Sequence, residues 1–218
     1  MDGGFIIFAI YIIILLFSVV LHEVSHGAVA NYLGDPTARM MGRLTLNPLP
    51  HLDMFGSVIL PLLLAIPIFF GMPAIIFGWA KPVPYNPNNL RYKKWGPALV
   101  GGAGPATNIF LALVFGLALR FIMPLPAGSP LTGAVIVFFA ITYINLLLAI
   151  FNMVPIPPLD GSKLMFSMFN VPYKTRMFLE QNGFLLLLLF IFFGFKIILP
   201  LIEGAFVLIT GINSGTFM

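Results

Sequence analysis

From Phe5 to Leu21 the chain carries no charge, and the same apolar run continues without a break into His22-Glu23-Val24-Ser25-His26. An ionisable side chain near the centre of a bilayer costs about 3 kcal/mol or more, so residues of this kind inside an apolar span mark function by default. On a helix, residues four apart project about 40° from one another, which puts His22 and His26 on one face. Two imidazoles on one face with a glutamate beside the first form the ligand pair and general base of a zinc hydrolase.

Composition places this motif in lipid. The chain is 60% hydrophobic and 8% charged, against about 25% charged residues in a soluble domain. The fold class expected is an all-α polytopic membrane protein of about four to six transmembrane helices. Residues 1–218 form one integral membrane domain, with a core over about 5–170 and C-terminal helices over 183–213. The net charge of +4 is small and dispersed, which argues against a nucleic-acid partner and fits loop positives on one membrane face. There is no cysteine, so disulfides, thiolate zinc sites and a cysteine nucleophile are excluded. No Lys or Arg precedes Arg39, so the basic region of a signal peptide is missing.

Along the chain, Phe5–Leu33 reads as a span closed by Gly34-Asp35-Pro36. Gly96–Met123 and Leu131–Phe151 read as further spans, followed by Phe184–Leu199 and a short apolar tail, Leu201–Ile212. Gly101-Gly102-Ala103-Gly104-Pro105-Ala106 is a small-residue run that allows close helix approach in lipid. Trp79 and Trp95 flank a basic loop as interface anchors. Gly56–Trp79 is apolar but carries Pro61, Pro67 and Pro73. If it crosses once, Lys and Arg divide seven to four between the two sides. If it dips in and returns, Arg39, Arg43, Lys81, Arg91, Lys93, Lys94, Lys163, Lys174 and Arg176 share one side against Arg120 and Lys196. The positive-inside rule prefers the second arrangement and makes that side cytoplasmic.

A catalytic zinc takes three protein ligands and keeps an open position, and the first helix offers two. Asp160 stands out for the third, in Asn152-Met153-Val154-Pro155-Ile156-Pro157-Pro158-Leu159-Asp160-Gly161. Three prolines in this stretch forbid a regular helix and hold the chain extended. The alternative for Asp160 is an N-cap on a helix over 162–170. His51 and Asp53 read either as a gate or second ligand set, or as the cap of an interfacial loop. Asn108 reads as a hydrogen-bonded tie between helices.

The pairing of His22-Glu23-x-x-His26-Gly27 with Asn152-x-x-Pro155-x-Pro157-x-x-Asp160-Gly161 resembles the site-2 protease family of intramembrane zinc metalloproteases. Gly104-Pro105-x-x-Asn108 is similar to the motif opening that family's next core span. Gly42-Arg43-Leu44-Thr45-Leu46-Asn47-Pro48 and Gly78-Trp79-Ala80-Lys81-Pro82-Val83-Pro84 resemble its short prokaryotic subgroup, with no PDZ-like insertion and no nucleotide-sensing domain. The resemblance implies that His22, His26 and Asp160 bind one Zn²⁺ ion and that Glu23 activates water. It also implies that Asn152 positions substrate or stabilises the oxyanion. Expected partners are the lipid bilayer and transmembrane segments of substrate proteins, with room for a homo-oligomer or a regulatory membrane partner. The expected location is the plasma membrane of a prokaryote, with the active site toward the cytoplasm. Two other readings compete: a metal or ion transporter using the same His and Asp residues, and a catalytically silent membrane scaffold.

Overall fold

The computed structural model describes residues 3–70, 78–126 and 129–216. Among them the chain forms nine α-helices and no strand: α1 (Gly3–Tyr32), α2 (Thr37–Met40), α3 (Leu60–Phe69), α4 (Gly96–Ile122), α5 (Thr132–Asn152), α6 (Asp160–Met168), α7 (Tyr173–Gln181), α8 (Gly183–Leu189) and α9 (Phe195–Thr210). Among the described residues four stretches are long and apolar enough to cross a membrane: Ile6–Tyr32, Gly96–Ile122, Thr132–Asn152 and Gly183–Thr210. The last joins α8 to α9 through a π-helical turn, Phe190–Gly194. Pro200, where the sequence suggested a break, lies inside α9; proline is tolerated in membrane helices because neighbouring groups satisfy the freed carbonyl.

The bundle is built on α4, which packs against α1, α5, α6 and α9. Ala112, Leu119, Val135, Phe139, Ile202 and Phe206 close the core between α4, α5 and α9. Large apolar side chains elsewhere face outward, Phe121 at 86% exposure and Leu208 at 78%. In water such a surface would be a liability, whereas in lipid it is the solvated face.

The ends of α1 and α4 meet on one side. Arg91 N–H donates to the Leu33 carbonyl at 2.8 Å. Buried Asp35 accepts from Asn86 N–H at 2.6 Å, Asn89 Nδ2 at 2.9 Å and the Thr37 hydroxyl at 2.6 Å. That carboxylate therefore ties the loop before α4 to the end of α1. Burial pushes the Asp35 carboxyl up, but these hydrogen bonds outweigh it and hold the group below its ordinary value. The lowered folded value means that stability from this cluster is fully present above about pH 4 and is lost as pH falls through the lower, folded value. Asp35→Asn is expected to cost about 2 kcal/mol at neutral pH and to flatten the loss of thermal stability below pH 4. An unchanged acid profile in detergent-solubilised protein would show that Asp35 is not its source.

The segment between α1 and α4 returns to where it starts. Trp79 N–H donates to the Gly56 carbonyl at 3.1 Å, and Ser57 Oγ donates to the Trp79 carbonyl at 2.7 Å. Between these ends the six-residue π-helical turn Met54–Ile59 runs directly into the 10 residues of α3, and together they fall short of the roughly 30 Å hydrocarbon thickness. This is the out-and-back course expected of a re-entrant segment. Residues 71–77, between these ends, lie outside the described residues. Asp53 accepts from Gly56 N–H at 2.7 Å and caps the π-helical turn Met54–Ile59. The nine basic residues named above thus sit in the loops and short helices at one end of the bundle. Arg120 lies at the other end, against the Leu208 and Ile209 carbonyls.

Candidate active site

α1 delivers His22, Glu23 and His26 from one side. α6 delivers Asp160 from the other, and α4 passes between them. The Asp160 Oδ2 atom lies 3.0 Å from His22 Nε2 and 3.1 Å from His26 Nε2. The two rings are 4.6 Å apart and nearly perpendicular, and all three side chains are buried.

The far ring nitrogens fix the proton positions. His22 Nδ1 donates to Asn108 Oδ1 at 2.5 Å, and His26 Nδ1 donates to the Val100 carbonyl at 2.6 Å. Both acceptors are carbonyl-type oxygens, so each ring carries a proton on Nδ1, and the neutral form of each leaves its free lone pair on Nε2. Two nitrogen lone pairs and a carboxylate oxygen then point into one small volume. This donor set calls for a cation, and two imidazoles with one carboxylate match the three protein ligands of a catalytic zinc. Room is provided by α4: a Cβ on Gly104 would sit 2.5 Å from His22 Nε2 and 2.6 Å from His26 Nε2. A divalent metal ion fits these residues.

Asp160 does not cap α6. Its backbone is the first helical residue, the N-cap is Leu159, and no side-chain cap bond forms. The carboxylate turns inward, and its second oxygen, Oδ1, accepts from Lys163 Nζ at 2.8 Å. The proline-broken stretch before it is a run of turns over 153–159 rather than a straight segment. Ile156 N–H returns to Val154 O and Leu159 N–H to Ile156 O. A Cβ on Gly161 would overlap the Met153 carbonyl, so only glycine lets the chain fold back this tightly.

Glu23 lies beside the histidines, with ligand atoms of all three residues within 4.8 Å of one another. Its Oε2 accepts from Val83 N–H at 2.9 Å. A cleft of about 540 Å³ opens here, with His22, Glu23, Asn152, Trp79, Leu148 and Phe184 among its walls. Asn152 is the last residue of α5, and one Nδ2 hydrogen is spent on the Leu148 carbonyl at 2.9 Å. His51 is engaged elsewhere, its Nε2 at 3.0 Å from the Thr45 carbonyl. With the Asp53 cap, the pair anchors a loop here, while His51 Nδ1 is buried with no hydrogen-bond partner among the described residues.

Some site residues were not read from the sequence as such. Asn108 does tie helices, but it also holds His22: its Nδ2 donates to Asn145 Oδ1 at 2.7 Å, and Asn145 Nδ2 donates to Ser18 Oγ at 2.9 Å. Lys163 and the Val83 amide gave no signal at all. Asn108→Ala is expected to weaken metal affinity by about 10- to 100-fold, measured by competition with a chromophoric chelator. Unaltered affinity would show that this hydrogen bond does not orient the ring.

Comparison with known proteins bears on this geometry. The profile described as Peptidase family M50 matches residues 127–192, the stretch that holds Asn152 and Asp160. YwhC of Bacillus subtilis is 33% identical over 208 residues, covering 94% of this chain and 86% of its own length. The chain belongs to peptidase family M50. Rip2 of Mycolicibacterium smegmatis is 35% identical over 147 residues, 67% of this chain and 52% of its own. MJ0611 of Methanocaldococcus jannaschii is 48% identical over 63 residues, 29% of this chain and 30% of its own. All three bear the name "Putative zinc metalloprotease". No solved structure matches. M50 is the family of site-2 proteases that the paired motifs resemble, and this M50 peptidase is a multi-pass membrane protein with four candidate spans.

Proposed function

We propose that this M50 peptidase is a zinc-dependent intramembrane endopeptidase that hydrolyses peptide bonds within or near transmembrane segments of other membrane proteins. The observation that carries this reading is the meeting of His22, His26 and Asp160 beside Glu23, with His22 and Glu23 in the wall of an apolar cleft between spanning helices. Relatives named for zinc support the choice of metal, and the three converging donors support one ion. The same observation favours hydrolysis over transport, because a general base stands beside the ligands.

His22 Nε2, His26 Nε2 and the Asp160 carboxylate would hold the zinc. When bound, it polarises a substrate carbonyl and lowers the pKa of a water from about 16 toward 7. Glu23 takes a proton from the attacking water and later passes it to the leaving amine. Its Oε2 is occupied by Val83 N–H, which leaves Oε1 for the proton. Asn152 retains one amide hydrogen for the carbonyl oxygen as it gains charge; losing such a donor costs about a hundredfold in rate. Lys163 neutralises the far side of Asp160, and Asn108 holds the His22 ring in its metal-facing tautomer. The scissile segment must unwind before its carbonyl is reachable, so spans containing Gly or Pro are cut best. The end of the bundle that carries nine basic residues faces the cytoplasm, and the membrane is the plasma membrane.

The test is cleavage of a model transmembrane substrate by purified protein in lipid vesicles. Chelation should abolish cleavage and added zinc should restore it. Cleavage indifferent to the chelator would sink the reading.

A further inference from the structure

A second cavity, of about 750 Å³, adjoins the cleft at the basic end of the bundle. Pro158 and Phe184 line both, so the two spaces share a wall. Their chemistry differs. Around the cleft the side chains are mainly apolar. The second cavity is lined by Lys93, Lys94, Lys163 and Arg176, with Glu180 the one acid among its lining residues. Arg176 pairs with Glu180 at 2.9 Å and Lys163 with Asp160 at 2.8 Å. Among the described residues Lys93 and Lys94 have only a carbonyl and an indole face as partners: Lys93 donates to the Asn88 carbonyl, and Lys94 sits over the Trp95 ring. Two cationic charges therefore remain without a counter-charge. Ser162, Ser167 and Asn170 add hydrogen-bonding groups to the same wall.

We infer that this cavity receives the polar segment flanking the substrate's transmembrane helix and selects segments that carry Asp or Glu. The inference rests on the protease reading and adds the substrate class. Two facts join here. A chain lying in the apolar cleft must leave it into the polar zone, and the cavity that shares a wall with the cleft is positively charged. Ordinary membrane proteins carry Lys and Arg on their cytoplasmic flanks, which Lys93 and Lys94 repel. The bulk of potential substrates is thus disfavoured by the same charges that attract an acidic flank, a selection that works by repulsion as well as attraction.

The experiment uses the zinc-loaded full chain in vesicles of neutral lipid. Three substrates share one transmembrane segment and differ only in an acidic, neutral or basic flank on the side of the basic loops. The acidic flank should be cut with kcat/KM about tenfold above the basic one. The difference should lie in KM and shrink at high salt. The double variant Lys93→Glu with Lys94→Glu should reverse the order of the acidic and basic flanks. Equal cutting of all three flanks, or a preference that survives the charge reversal, overturns the inference. So does a rate that ignores the flank but rises with anionic lipid and loses that rise in the double variant, which would make the cavity a lipid headgroup site. Binding of the three substrates to the Glu23→Gln variant needs no cleavage. If no substrate is ever cut but the acidic flank still binds best, the protease reading fails and the flank selection stands.

Discussion

Glu23→Gln will leave the metal in place and remove catalysis. The side chain lies outside the three converging donors, and glutamine keeps an oxygen that can accept the Val83 N–H. Fold and ligand set are therefore retained. What is lost is the proton acceptor. A positioned general base contributes about a hundred- to ten-thousandfold to rate, so turnover of a transmembrane substrate should fall by about a thousandfold at unchanged zinc content. The two readouts must be taken on the same preparation, zinc by elemental analysis and cleavage by product mass. A variant that still cuts at a tenth of the original rate would remove Glu23 from the mechanism. A variant that loses its zinc would make Glu23 a ligand instead.

Gly104→Ala is expected to have an effect of similar size by another route. The added methyl would occupy the space into which both Nε2 atoms point, at 2.5 and 2.6 Å from them. The imidazoles must move apart, and stoichiometric zinc and activity go with them. Stability should change less than metal binding. Overpacking costs about 1–3 kcal/mol, against about 1 kcal/mol gained by alanine over glycine inside a helix, so the metal-free variant should unfold at or slightly below the temperature of the metal-free original. Gly102→Ala supplies the control, because no side chain or neighbouring element among the described residues lies within 4 Å of a Cβ there. It should keep both zinc and activity. If Gly104→Ala binds zinc normally, the cradle on α4 is not where the ion sits.

The two halves of this site differed in how plainly the sequence displayed them. His22, Glu23 and His26 were legible because a helix repeats locally and the apolar run left no other secondary structure. Asp160 was legible as a candidate because the prolines around it break a span. Its alternative as a helix cap was settled only when the carboxylate was seen to turn toward α1, 138 residues away in sequence. The partners of the histidines were not legible, since Asn108 and the Val100 carbonyl meet them only through the register of α4 against α1. Within the small-residue run, Gly101, Gly102 and Gly104 look alike as letters. Packing separates them: Gly101 faces Lys163 and Gly104 faces the histidines, while Gly102 faces open space. Trp79 read as an interface anchor; it packs between Phe55 and Phe184, with ring centroids 6.0 and 6.4 Å away, and helps to wall the cleft. The span count was bounded by composition; among the described residues it comes to four candidates, the last of them through the continuity of Gly183–Thr210 across Pro200.

The most direct measurement is diffraction from crystals of the zinc-loaded protein on either side of the zinc absorption edge. One anomalous peak is predicted, bonded to Nε2 of His22, Nε2 of His26 and the carboxylate of Asp160. A zinc ion bound to the two histidines with Asp160 still held by Lys163 and out of bonding reach, or a peak at His51 in their place, would contradict it.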